Sequence, residues 1–187
     1  MTPDDLQLDP AILLTQQPLT LDRLARKRYA NLSGAGAAAF PGRWNRAGQE
    51  AIYTSIEVGV PVLERLVHTP KDIIPSNLAL MRMRVAGAGE HGLDYQTGGS
   101  IVFYEGGCIV FYKSIREARD AFTDGPQSFA ATMNPFAIAV PSVIVPAWNV
   151  ILYPEGTGFW DHVSLESIEP FDFDPRLFPD DVQVESA

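Results

Sequence analysis

An arginine, a tyrosine and a glutamate fall on three consecutive pieces of this chain: Pro41-Gly42-Arg43-Trp44-Asn45, Ala51-Ile52-Tyr53-Thr54-Ser55 and Val62-Leu63-Glu64-Arg65-Leu66-Val67-His68. Read together they have the makings of a small active site for an anionic, sugar-containing substrate. Each also has a structural reading: Arg43 and Glu64 as an ion pair, Tyr53 as an ordinary strand aromatic.

The pieces that must hold these residues follow from pattern. Ala51 to Ser55 alternates apolar with aromatic or hydroxyl residues after the turn signal Ala47-Gly48, which predicts a strand carrying Tyr53. Ser55 is a suitable N-cap for a helix from Gly59 to His68, with Pro61 tolerable near its start. Val60, Leu63 and Val67 give that helix one apolar face, with Glu64 at its edge. A carboxylate there needs a partner or a role, because an unpaired buried charge is costly.

Composition bounds the function. A chain of 187 residues, 46% hydrophobic and 20% charged, has enough material for one globular domain. No apolar run is long enough to span a membrane and no signal peptide opens the chain, so a cytoplasmic location is the expectation. Cys108, the only cysteine, leaves no internal disulfide or cysteine-based zinc site and reads as a buried core thiol. The three histidines, His68, His91 and His162, lack metal-ligand spacing, so no metal is expected. A net charge of −9 argues against direct nucleic-acid binding, yet six basic and no acidic residues lie between Arg23 and Gln49. Such a patch suits a small anion such as pyrophosphate; it can equally be a solvated basic segment.

Along the rest of the chain, residues 1–18 read as a loose lead-in and Leu19 to Tyr29 as a basic segment of ambiguous structure. Asn31 to Ala37 is a small-residue loop, and Asn77 to Val85 a strand with Ala79, Met81, Met83 and Val85 facing the core and Arg82 and Arg84 facing solvent. Gly87 to Gly99 reads as a glycine-rich loop, Ser100 to Tyr104 and Cys108 to Tyr112 as a hairpin, and Ile115 to Phe122 as a helix with a Ser114/Glu117 capping box. A loop over 124–135 precedes short strands at Phe136 to Val140, Val143 to Val145 and Asn149 to Leu152. From Glu155 nine acidic residues face one basic residue, and 179–187 read as an acidic disordered tail.

The ordered blocks Arg-Lys-Arg-Tyr, Leu-Ser-Gly-Ala-Gly-Ala, Pro-Gly-Arg-Trp-Asn, Ala-Ile-Tyr-Thr-Ser, Leu-Glu-Arg-Leu-Val-His, Val-Pro-Ser-Val-Ile-Val-Pro, Asn-Val-Ile-Leu and Phe-Asp-Phe-Asp-Pro-Arg-Leu resemble the RES-domain family. That family comprises toxins of bacterial toxin–antitoxin pairs, and the resemblance covers Leu19 to Leu177, within a single domain at 19–178. It departs at Leu152-Tyr153-Pro154, where the family has an asparagine before the proline, and the Ser100 to Tyr112 segment finds no match.

The resemblance implies an α+β, ADP-ribosyltransferase-like fold with a split, curved β-sheet and flanking helices. It implies that NAD+ is consumed as a substrate, not held as a cofactor, by cleavage of the nicotinamide–ribose bond with water or phosphate as acceptor. It assigns Arg43, Tyr53, Glu64 and Ser142 to the catalytic centre, and Arg26, Arg28, Tyr29 and Asn149 to substrate binding. In that setting Glu64 would stabilise an oxocarbenium-like ribose. Arg43, helped by Arg26 or Arg28, would clasp the pyrophosphate. Tyr53 and Tyr29 would stack on a ring, and Ser142 would bond the ribose or the nicotinamide amide rather than act as a nucleophile. The expected partner is a helix-turn-helix antitoxin, and a homodimer inside the complex is allowed. ADP-ribose transfer to a protein, or a non-catalytic nucleotide-binding domain, are the alternatives.

Overall fold

Alternating large apolar residues build the strands of this protein, and a break in their pairing shapes the sheet. The structure, a computed structural model, describes residues 18–70, 72–87, 90–93, 100–123, 133–179 and 182–184. In chain order these form β1 (Leu19–Arg26), α1 (Ala35–Ala39), β2 (Ile52–Ser55), α2 (Gly59–Val67), β3 (Ile73–Ile74), β4 (Leu78–Val85), β5 (Glu90–Leu93), β6 (Ser100–Tyr104) and β7 (Gly107–Phe111). There follow α3 (Ile115–Thr123), β8 (Ala137–Pro141), β9 (Trp148–Leu152), α4 (Phe159–His162), β10 (Val163–Phe171) and β11 (Gln183–Val184).

Nine strands make one mixed sheet in the order β10-β4-β1-β2-β9-β8-β7-β6-β5, in which only β7 and β8 run parallel. β1 pairs with β4 along its whole length, from Leu19 opposite Val85 to Arg26 opposite Leu78. With β2 it shares a single register pair, Asp22 and Ser55. The sheet is therefore split between β1 and β2, and it is also bent. Leu21, Met81 and Met83 from one side of the split share a core cluster with Val102, Ile109 and Phe111 from the other side. Strands so far apart in order meet only if the sheet curves around them. On the opposite face of the β6–β9 half, Cys108, Val110, Ile138 and Ile151 pack with Ala118 of α3.

Fully buried Phe111, Phe136 and Phe159 anchor the concave core, each burial worth about 1.5–3 kcal/mol. The α3 capping box forms: Ser114 Oγ accepts from Glu117 N, while the Glu117 carboxylate reaches back to Lys113 N. Cys108 is buried as expected, and burial pushes its thiol up to about 11 from 9.0. A thiol whose pKa is raised by folding stabilises the fold below pH 9, and that contribution is lost as pH rises towards 11. The expected loss over that window is about 3 kcal/mol at most, and Cys108→Ala, followed by denaturant titration across it, should show a shallower alkaline decline than the parent.

The structure corrects several expectations from sequence. Of the α2 stripe only Val60 is buried, whereas Leu63 is 41% and Val67 62% exposed. The helix lies over β1 and β2 through a narrow contact, and periodicity marks a face without saying what covers it. Val58, not Ser55, is the N-cap residue, because Ser55 completes β2. Asn31 to Ala37 is not all loop, since α1 begins at Ala35. Val143 to Val145 is a turn, closed by Ser142 N donating to Ala147 O, and not a strand. The glycine-rich segment after Gly87 contains β5, and the acidic C-terminal third contains β10, whose pairing shifts between Leu165 and Ser167 and so hides the period of two. Within the tail assigned to disorder, Gln183 and Val184 pair in parallel with Ile73 and Ile74. The lead-in over 1–17 and the loop over 124–132 lie outside the described residues.

Candidate active site

The split in the sheet gathers four polar side chains. Ser55 ends β2, Asn149 faces it across the β2–β9 ladder, Ser142 follows β8, and Glu64 projects from α2. Glu64 Oε1 accepts from Asn149 Nδ2 at 2.6 Å and from Ser142 Oγ at 3.1 Å. Ser55 Oγ in turn donates to Asn149 Oδ1, which fixes the amide so that its NH2 faces Glu64. Ser142 is fully buried, and its oxygen accepts from Ile144 N. Its proton is thus committed to Glu64, so it orients the carboxylate and is placed neither as a nucleophile nor as a direct ribose contact. No described residue bonds Glu64 Oε2. One oxygen is anchored by neutral donors and the other is left for a ligand.

A second construction holds Arg43. Asn45, buried, accepts from Gly42 N through Oδ1 and donates from Nδ2 to the carbonyls of Ala37, Arg46 and Gln49. Tyr53 Oη accepts from Trp44 N at 3.0 Å and donates to Asn45 Oδ1 at 2.9 Å, and Tyr153 Oη donates to Trp44 O at 2.7 Å. Gly42 is required here, because a Cβ would lie 2.5 Å from Tyr53 Oη. This loop presents Arg43 exposed and close enough to Tyr53 for its charge to be felt by the phenol. Arg43 and Glu64 make no ion pair, so the purely structural reading of that couple falls. Burial raises the Tyr53 pKa, partly offset by the Trp44 N–H and the Arg43 charge, and burial raises Tyr153 further. Both phenols are therefore neutral in the physiological range and keep the proton each donates. Tyr53→Phe is expected to leave Trp44 N and Asn45 short of a partner, costing about 1–3 kcal/mol, measurable as a lower denaturation midpoint.

Of the other assigned residues, Arg28 and Tyr29 share no hydrogen bond with the Glu64 cluster. Arg28 stacks over the Tyr29 ring at 4.8 Å on the exposed turn after β1. Arg26 ends β1, half-buried. Arg82 faces solvent as strand parity predicts, and it also donates to both oxygens of buried Asp22, beside the split. Sequence reasoning missed Ser55, Asn45 and Tyr153. The Trp-Asn following Arg43 was the available signal for Asn45, since a loop so tight needs a side chain to satisfy its carbonyls. Among the described residues no group of three His, Cys, Asp or Glu could hold a metal ion, and no helix is long and apolar enough to cross a membrane.

The RES domain family matches residues 20–174, and the chain belongs to that family. It is 29% identical over 162 residues to "Toxin Res" of Photorhabdus laumondii subsp. laumondii, covering 85% of this chain and 97% of that one. It is 27% identical over 151 residues to the "Prs ADP-ribosylating toxin" of a Sphingobium species, covering 79% and 86%. The fold is similar to a chain in the crystal structure of the M. tuberculosis MbcT–MbcA toxin–antitoxin complex, with a TM-score of 0.51 at 17% identity over 86% of each chain. The α+β architecture with a curved sheet flanked by helices is thereby shared with a solved structure.

Proposed function

We propose that this chain is the toxin of a toxin–antitoxin pair and that it degrades NAD+ by cleaving the nicotinamide–ribose bond. The observation that carries the reading is the Glu64 carboxylate, anchored through Oε1 by Ser142 and Asn149 with Oε2 open. As the C–N bond breaks, its electron pair leaves with neutral nicotinamide and the ribose carbon gains oxocarbenium character. A fixed carboxylate oxygen stabilises that charge without having to reorganise. Water then adds at the same carbon and loses its proton, or phosphate adds instead. Arg43 on its rigid loop is the donor fork for the pyrophosphate. The names of the relatives and of the structural neighbour support the toxin role, and an antitoxin of helix-turn-helix type is the proposed partner.

A second reading, transfer of ADP-ribose to a protein side chain, is favoured by the name of the Sphingobium relative. Purified chain incubated with NAD+ tests both. Free nicotinamide with ADP-ribose or its phosphate ester, at more than one turnover and without protein added, supports degradation. Nicotinamide release that requires a cell extract and labels one protein supports transfer, and no release under either condition contradicts both.

A further inference from the structure

A row of polar residues crosses the sheet at right angles to its strands. Ser167 of β10 stands opposite Arg82 of β4, Arg82 opposite Asp22 of β1, Asp22 opposite Ser55 of β2, and Ser55 opposite Asn149 of β9. Residues directly opposite in a ladder share a face, so these side chains leave the sheet on the side where Asn149 meets Glu64. The pair Asp22 and Ser55 is the register pair that joins β1 to β2, so this row is what bridges the split.

Most of its links are hydrogen bonds. Arg82 Nε donates to Asp22 Oδ1 at 3.0 Å and Nη2 to Oδ2 at 3.4 Å, Ser55 Oγ donates to Asn149 Oδ1, and Asn149 Nδ2 donates to Glu64 Oε1 at 2.6 Å. The contact of Asp22 with Ser55 is different: a buried carboxylate faces a hydroxyl whose one proton is given elsewhere, with Cβ atoms about 5 Å apart. Arg82 makes that arrangement tenable. Take the guanidinium away and a buried acid lacks its donor, which is costly, while the hydroxyl facing it across the ladder is that of Ser55. If Ser55 turns to Asp22, the Asn149 amide is released. The charge of Asp22, no longer neutralised, also opposes the negative charge on Glu64. The hydrogen bond and charge of Asp22 raise the pKa of Arg82, with Glu166 and Glu169 of β10 adding to the effect, so the guanidinium is a permanent cation here.

We propose that Arg82 is a positioning residue for Glu64: it commits the Asp22 carboxylate, so that Ser55 keeps Asn149 and Asn149 keeps Glu64 in its working orientation. The inference deepens the NAD+ reading and rests on it for the reaction, but the row of hydrogen bonds does not depend on the substrate. Arg82 is 46% exposed at its side chain while Asp22 is 4% exposed, so the acting end of the row is open to substitution and its acid is not.

The test follows nicotinamide release from NAD+ by the purified chain beside the side-chain amide signals of Asn149 in a nitrogen–proton correlation spectrum, identified by their loss in Asn149→Ala. Arg82→Leu is expected to lower kcat at least about tenfold with KM nearly unchanged, and to move the Asn149 amide while leaving that of Asn45 in place. Asp22→Leu combined with Arg82→Leu, which replaces the whole buried pair by apolar chains, should return kcat to within about threefold of the parent and bring the Asn149 signals back towards their parental position. Arg82→Lys keeps the charge without the fork and should fall between parent and Arg82→Leu. A parental kcat or an unmoved Asn149 amide in Arg82→Leu overturns the proposal. A double variant as impaired as Arg82→Leu overturns it too, because Arg82 then acts on something other than Asp22. The NAD+ reading fails separately: a parent that releases no nicotinamide loses the reaction, and the Asn149 amide across the same variants still decides whether Arg82 holds the row.

Discussion

Glu64→Gln, purified beside the parent chain, is expected to fold, to retain NAD+ binding and to release nicotinamide about a thousandfold more slowly. The substitution is nearly isosteric and keeps a carbonyl oxygen where Oε1 accepts from Asn149 and Ser142. What it removes is the negative charge at the open oxygen. A thousandfold corresponds to about 4 kcal/mol of transition-state stabilisation, of the order that a single preorganised electrostatic contact supplies. KM should move little, because the charge acts on a cation that exists only as the bond breaks. Unimpaired release by Glu64→Gln would take the carboxylate out of the mechanism. A large rise in KM at unchanged kcat would make it a ground-state binding group.

Asn149→Asp should be nearly as damaging at neutral pH, with a signature of its own. It sets a second carboxylate at the 2.6 Å contact with Glu64 and removes the N–H that anchors Oε1. Two carboxylates that close cannot both ionise, so the pair takes up one proton with a raised apparent pKa. The sign follows: activity falls about a hundredfold where both would be charged, and recovers in part as pH drops and the shared proton replaces the lost amide hydrogen. A pH–rate profile of the variant that parallels the parent across pH 5 to 8 would show that Asn149 does not touch the working carboxylate.

Much of the site was legible in the sequence because its residues lie in locally patterned elements. The alternation through Tyr53, the helix carrying Glu64 and the loop around Arg43 all form where pattern and turn chemistry put them. Their roles were less legible. Residue type offers Tyr53 as a ring for stacking, and the structure adds a role that residue type does not show: its hydroxyl braces the Arg43 loop. Ser142 as a ligand contact was inferred from chemistry, yet it is buried against Glu64. Hydrogen bonds that join residues 78 to 94 positions apart have no trace in a local window. β10 escaped notice because its exposed, acidic residues and shifted register mimic an unstructured segment. The stripe of α2 misled for the opposite reason: Leu63 and Val67 have the period of a buried face and are exposed. Arg23 looked like one more member of a basic run until strand parity turned it inward.

The most direct test of NAD+ cleavage at this site is the NAD+ content of growing cells after induction of the chain, followed beside the Glu64→Ala and Arg43→Ala variants. The proposed activity predicts a rapid fall with the parent, ahead of growth arrest, and no fall with either variant at equal expression. Growth arrest at unchanged NAD+, or an equal fall with Glu64→Ala, would contradict it.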